Sequence, residues 1–291
     1  MRAMLAAAAL LIGFAESGRT ARCTTSLDPQ MLREYQDYVF AAEQGMDRRF
    51  GAGNLSWVPA SSRKEANAKL ASCKQVRRNI SDASVNERIA ARNATVLHWV
   101  GAIRIPGVSL AELQAVLEDF ERYDRMYRPM ITEFRAKGVE EAPGFDVILG
   151  LQSSFRFASL FPQHYAFRVH GNLERARGNG ALSLHLRARE IRESDSGVAG
   201  RNDFLETYHD HGIMWALNAY WRARPMGTDV YLEFETITLA RSVQAFSCRL
   251  GIVPVPKSVV AEAMDSIPAD SVTVILEGTR AECARRASVR R

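Results

Sequence analysis

The sequence predicts an α+β fold in which a curved antiparallel β-sheet wraps around a long C-terminal helix. Three observations carry this. From Val96 onward the chain reads strand, helix, six strands, helix. The later strand segments alternate apolar and polar residues, the pattern of sheets with one buried and one wet face. The last segment, opened by Ser266-Ile267-Pro268, then carries Val272, Ile275, Leu276, Thr279 and Cys283 on one helical side, where they can close the sheet.

Each element has its own signal. The run WVGAIRIPG (Trp99 to Gly107) is strand-like and stops at Pro106-Gly107. Ser109 then caps a helix, SLAELQAVLEDF, with Glu112 completing a capping box and Leu110, Leu113, Val116, Leu117 and Phe120 forming its apolar stripe. Strands follow at Ile131 to Val139, Phe145 to Leu151 and Gln163 to Leu173, the last with Tyr165, Phe167 and Val169 on one face. Ala181 to Ile191 alternates through Leu182, Leu184 and Leu186. Gly212 to Arg224 puts Ile213, Trp215, Leu217 and Trp221 on one face, and Asp229 to Leu239 does so with Val230, Leu232 and Phe234. Pro268 suits the first turn of the closing helix.

Ahead of this domain, the N-terminus reads as an address. Met1-Arg2 is followed by AMLAAAALLIGFA, too short for a bilayer span but the length of a signal-peptide apolar region. Gly13 and Ala15 fit cleavage after Ala15, so residues 1–15 are expected to be removed and the mature protein to be soluble, in the periplasm or secreted. The alternative is an uncleaved apolar N-terminal helix. Residues 28–94 read as an N-terminal helical extension. Asp28-Pro29 opens a helix with Leu32, Tyr35, Val39 and Ala42 at helical spacing, and a polar second helix is expected within 62–78. This stretch has too few apolar residues for its own core and is expected to lie against the main domain, residues 96–285.

Composition narrows the function. Of 291 residues 47 % are hydrophobic and 24 % charged, which excludes wholesale disorder. The net charge of +5 is partly a matter of Arg280, Arg285, Arg286 and the tail 286–291, with Arg290 and Arg291. That tail reads as a solvated end, or as a weak contact with an anionic membrane surface. The arginines are scattered rather than striped, so no nucleic-acid partner is expected. Cys23, Cys73, Cys248 and Cys283 allow three pairings, among which spacing does not choose, and none forms a CxxC pair. A monomer is expected.

The segments HWVGAIRIPGVSLAELQAVLEDFERYDRMYRPMI and DHGIMWALNAYWR…VYLEFETITLAR, with the element order over roughly residues 96–285, resemble the SRPBCC superfamily. That superfamily includes START domains, Bet v 1-like proteins and polyketide cyclases, and the likeness extends to exported bacterial members. The resemblance implies a helix-grip fold with a cavity suited to a lipid or polyketide-like molecule. It implies no conserved reaction.

The candidate site follows from parity. Tyr165, Phe167, Trp215, Leu217, Trp221, Phe234 and Ile275 are expected to line the cavity, where ligand walls and ordinary core overlap. His209 and His211 with Asp203 or Glu206 form a weak metal pattern, read instead as a polar turn capping backbone groups. Glu233 and Glu235 are expected to face solvent and pair with Arg222 or Arg224. Arg168 and His170 fall opposite Phe167 and Val169. No GxSxG elbow supports Ser242 or Ser247, and the GAG at 51–53 is no dinucleotide fingerprint, so no catalytic residue, metal or cofactor is expected. The expected function is an exported carrier of a hydrophobic small molecule. The alternatives are an aromatase/cyclase using Tyr220, Asn218 or His211 on a poly-ketone, and a cell-envelope interaction module.

Overall fold

A computed structural model describes residues 25–90, 92–137, 144–152, 164–178, 180–195, 203–242 and 257–289. The signal-peptide reading, Cys23, Cys248 and the end of the basic tail lie outside the described residues. The strands are β1 (Thr25–Ser26), β2 (Val76–Asn79), β3 (Ala94–Ile105), β4 (Ile131–Lys137), β5 (Gly144–Gln152), β6 (His164–Gly178), β7 (Ala181–Glu193), β8 (His209–Asp210), β9 (Ala216–Met226) and β10 (Asp229–Arg241). The helices are α1 (Pro29–Ala52), α2 (Arg63–Ala71), α3 (Ala83–Ala90), α4 (Leu110–Leu117), α5 (Tyr123–Met126) and α6 (Lys257–Val289).

Eight strands form one antiparallel sheet in the order β2-β3-β10-β9-β7-β6-β5-β4, and β1 with β8 makes a separate ribbon. The strand, helix, six-strand, helix order holds, and the fold is α+β of the helix-grip kind. Local chemistry sets the boundaries. Asp28 caps α1 by accepting from the Gln30 N–H, with Pro29 in the first turn. Ser109 and Glu112 form a reciprocal capping box at α4. Gly227, at φ +65°, turns β9 into β10 in the left-handed region that glycine tolerates.

The sheet carries a layer on each side. On the inner face α6 crosses β3 and β10, and α4 and α5 pack beside it. Gly101 of β3 shows how close the helix comes: a Cβ there would run into Val272 and Leu276 of α6. Trp99, Ile103, Leu232, Phe234, Trp221 and Ile275 belong to this core. On the outer face α1 lies across β9 and β10, burying Met31, Tyr35, Val39 and Met46 against Tyr220, Ile237 and Leu239. Leu55, Trp57 and Val58 extend that layer over Val100, Ala102 and Tyr231.

Three boundaries differ from the expectation. The N-terminal region is not helical throughout: after α2 it contributes β2, which pairs with β3 as an edge strand of the main sheet. Only Val76 of β2 is buried, so the strand lacks the alternation that reveals one, and its Arg77 reaches instead to the Ala269 carbonyl of α6 at 2.8 Å. Helix α6 begins at Lys257, which places Pro268 inside the helix rather than in its first turn. Proline costs only one N–H and a local clash, and the 33-residue helix continues through it. Strand β9 begins at Ala216 rather than Gly212, because the chain turns at Gly212 with φ +77°.

Candidate functional site

The inner faces of β3, β9 and β10, the strand β7 beside them and α6 enclose a cavity of about 100 Å³. Alternation along β9 and β10 delivers Leu217, Ala219 and Trp221, and Phe234, Thr236 and Thr238, to its wall. Met130, Ile131 and Phe134 close one side, and Ile267, Pro268, Ser271 and Ile275 of α6 form the roof. Among the described residues, the side-chain hydroxyls in this lining are those of Thr236, Thr238 and Ser271. Trp221 is buried, its ring packs on Phe234 at 4.7 Å, and among the described residues its indole nitrogen has no hydrogen-bond partner. An unpaired buried N–H costs about 1–3 kcal/mol, so this wall holds one strong donor without a mate.

Leu217, Trp221, Phe234 and Ile275 therefore line one space. Phe167 is fully buried in the same core without reaching the cavity wall, and the side chain of Tyr165 lies outside the described residues. Trp215 sits on the other side of the sheet, packed with the α1 cluster, and its indole N–H donates to Asp210 at 2.8 Å. Its parity fails because it belongs to the turn before β9, and strand alternation does not extend through that turn. Sequence reading missed Met130, Ile131, Phe134 and Ile267. Met130 precedes β4, a register shift between Ile131 and Glu133 breaks the period-two count that would link Ile131 to Phe134, and Ile267 sits beside a proline read as a helix start.

The polar groups weighed for catalysis converge elsewhere. Asn218 and Tyr220 point to the outer face: Asn218 donates to the Tyr35 hydroxyl at 2.9 Å, and Tyr220 donates to Glu43 at 2.9 Å. Burial and the neighbouring Glu43 push the Tyr220 hydroxyl far above its usual pKa. His211 is buried against Glu193 at 3.0 Å, whereas His209 is exposed and meets Ser26 at 2.8 Å. The two histidines thus part, and no cluster able to hold a metal exists among the described residues. Asp210, between them, is raised to about 6 by burial and by the charge of Glu193. Arg168 lies over the Phe204 ring at 4.7 Å.

Glu233 and Glu235 do not face solvent; they are 3 % and 1 % exposed. The outer face is covered, and the glutamates are buried under α1 and the Leu55–Val58 segment. Glu233 accepts from the Trp57 indole and the Tyr231 hydroxyl, each at 2.7 Å. Burial, then the charge of Glu235, raises the Glu233 carboxyl above the usual range. Glu235 meets His98 Nε2 and Arg49 Nη2, each at 2.5 Å, with Arg222 at 3.8 Å. Burial would raise its carboxyl, but the His98 bond and the two guanidinium charges outweigh that and hold it low. Among the described residues Cys73 and Cys283 are free thiols, and burial pushes the Cys283 thiol up to about 12.

No protein-family model and no curated protein sequence matches the chain. Among solved structures, the chain is similar to the Zhui aromatase/cyclase from a Streptomyces species, at 11 % identity and a TM-score of 0.44, over 66 % of this chain and 96 % of that one. A STAR-related lipid transfer protein from Xanthomonas axonopodis gives 11 % identity and a TM-score of 0.40, over 72 % of this chain and 98 % of that one. A START superfamily protein from Mycobacterium smegmatis gives 9 % identity and 0.40, over 65 % and 97 %. Overlaps this loose carry no argument about function, which has to come from the site itself.

Proposed function

We propose that the protein binds a hydrophobic small molecule in the cavity between the sheet and α6. The observation that carries this is the apolar space walled by Leu217, Trp221, Phe234 and Ile275, with the Trp221 N–H left without a partner among the described residues. Such a wall, apolar with a few placed polar groups, is how small-molecule sites fix orientation. A dry cavity of about 150 Å³ holds a benzene-sized guest. The space here, about 100 Å³, therefore takes a small ring or short aliphatic group bearing one acceptor for the indole. A lipid or a polyketide-length molecule enters only if the Ile267–Ile275 stretch of α6 swings away from the sheet. The aromatase/cyclase alternative loses Tyr220 and Asn218, which lie on the other face. Export through the N-terminal segment, and a periplasmic or secreted location, belong to the same proposal.

The test is native mass spectrometry of protein purified from its host, with organic extraction and titration by small apolar fluorophores. A near-stoichiometric guest that is lost in Trp221→Ala supports the reading. A protein that arrives empty and takes up no apolar probe overturns it.

A further inference from the structure

A second group of residues stands on the opposite side of the sheet. Here α1, α3 and β3 enclose a groove of about 760 Å³, within the usual range of ligand sites. Tyr38 lines it from α1 and His98 from β3. The Tyr38 hydroxyl lies 2.6 Å from His98 Nδ1, and His98 Nε2 lies 2.5 Å from Glu235. Arg49 and Arg222 surround Glu235 with positive charge and keep it an acceptor, so the ring hydrogen sits on Nε2. A singly protonated imidazole then presents its Nδ1 lone pair to the Tyr38 hydroxyl. Burial raises the Tyr38 hydroxyl to about 12, and a hydrogen bond from the Asp82 backbone only partly opposes this, so its activation rests on the His98 Nδ1 base 2.6 Å away. Hydroxyl, imidazole and carboxylate in line is the arrangement that activates nucleophiles in acyl transfer.

We propose that this groove is a second site, in which Tyr38 is a nucleophile toward small polar esters, with His98 as its base and Glu235 as the positioning residue behind it. The Tyr38 oxygen bonds to the acyl carbon while its proton passes to His98 Nδ1. The C–O bond to the leaving alcohol breaks, and the alcohol departs with the proton from His98. Water, deprotonated by His98, attacks the acyl-tyrosine; the carboxylic acid leaves and Tyr38 regains its proton. Arg49 lines the same groove, and its guanidinium, bonded to Glu235, sets positive charge near the oxygen on which charge develops. The choice of polar esters follows from the rim, where Glu34 and Asp37 face Arg88 and Arg92 with neither sign dominant. The site shares no residue with the inner cavity and does not depend on the reading of that cavity.

The experiment uses the full chain, p-nitrophenyl acetate and an arylsulfonyl fluoride. Wild type should release nitrophenolate and carry acetyl or sulfonyl on Tyr38, located by peptide mass spectrometry. Tyr38→Phe, half-buried and isosteric, should keep the melting temperature and lose the rate about 100-fold, as loss of an activated group does. His98→Gln and Glu235→Gln should slow acylation of Tyr38, and the inflection in its pH–rate profile should vanish in His98→Gln. If Tyr38 is labelled no faster than other tyrosines, or Tyr38→Phe retains the rate, the network only ties α1 to the sheet and the proposal falls. The wild-type labelling decides even if the buried variants fail to fold.

Discussion

The two faces of the central strands β3, β10 and β9 are built by opposite rules. Inward, β10 presents Leu232, Phe234, Thr236 and Thr238 to a nearly apolar space roofed by α6. Outward, the same strand presents Tyr231, Glu233 and Glu235, each buried and each paired with a partner from the N-terminal region or β3. The inner face is held by shape and burial, which are tolerant in kind but not in volume. The outer face is held by directed polar contacts, where losing one partner strands the others in low dielectric. One strand thus carries a packing surface and a wiring surface, separated by a single residue of register.

The contrast can be broken from the outer side first. Glu235→Leu removes the shared counter-charge of His98, Arg49 and Arg222 and should destabilise by about 3–5 kcal/mol, read by denaturant unfolding at neutral pH. A cost no larger than that of an ordinary surface change would mean that the network holds nothing. Asp210 gives the next effect. Its carboxyl is raised to about 6 in the fold, so the stability linked to it is present below the unfolded value near 3.8 and declines as pH rises through about 6. Among the described residues its Oδ2 has no partner, while Oδ1 accepts from Gly212 and Trp215. Asp210→Asn should match wild type near pH 4 and exceed it by on the order of 2 kcal/mol at pH 8, in paired unfolding curves. On the inner side, Gly101→Ala drives a methyl into Val272 and Leu276 and should cost about 1–3 kcal/mol with no change in pH dependence. The smallest effect belongs to Lys69→Ala, which removes an exposed pair with Glu65 on α2 and should leave the melting temperature unchanged.

Much of this architecture was legible because strands write their faces into alternate residues. Phe234, Leu217 and Trp221 reach the cavity wall on that ground alone, and Ser109 with Glu112 marks its helix to the residue. What failed was information that strands do not carry. The alternation at Glu233 and Glu235 separates two faces but does not say that the polar one is wet. The sign of a cover lay 190-odd residues earlier, in the apolar stripe of Met31, Tyr35, Val39 and Met46, which had no core of its own to join. Trp215 failed for a local reason, the turn at Gly212. Pro268 was read as a beginning because proline is tolerated at a helix start and, at a cost, inside one. The Tyr38–His98–Glu235 line was invisible in sequence, since its members come from three distant elements.

The place where α1 docks has a consequence for how the chain becomes a protein at all. The Tyr35 hydroxyl bonds the Ile237 carbonyl of β10 across 202 positions, and α6, from the other end, packs on β10 as well, from the opposite face. A ribosome delivers α1 first and its seat almost last. Until β10 is made, an amphipathic helix waits with Met31, Tyr35 and Val39 uncovered, and contacts this remote in sequence form slowly. The sheet therefore stays open through most of synthesis, and its two faces lock only once α1, β10 and α6 have all been made.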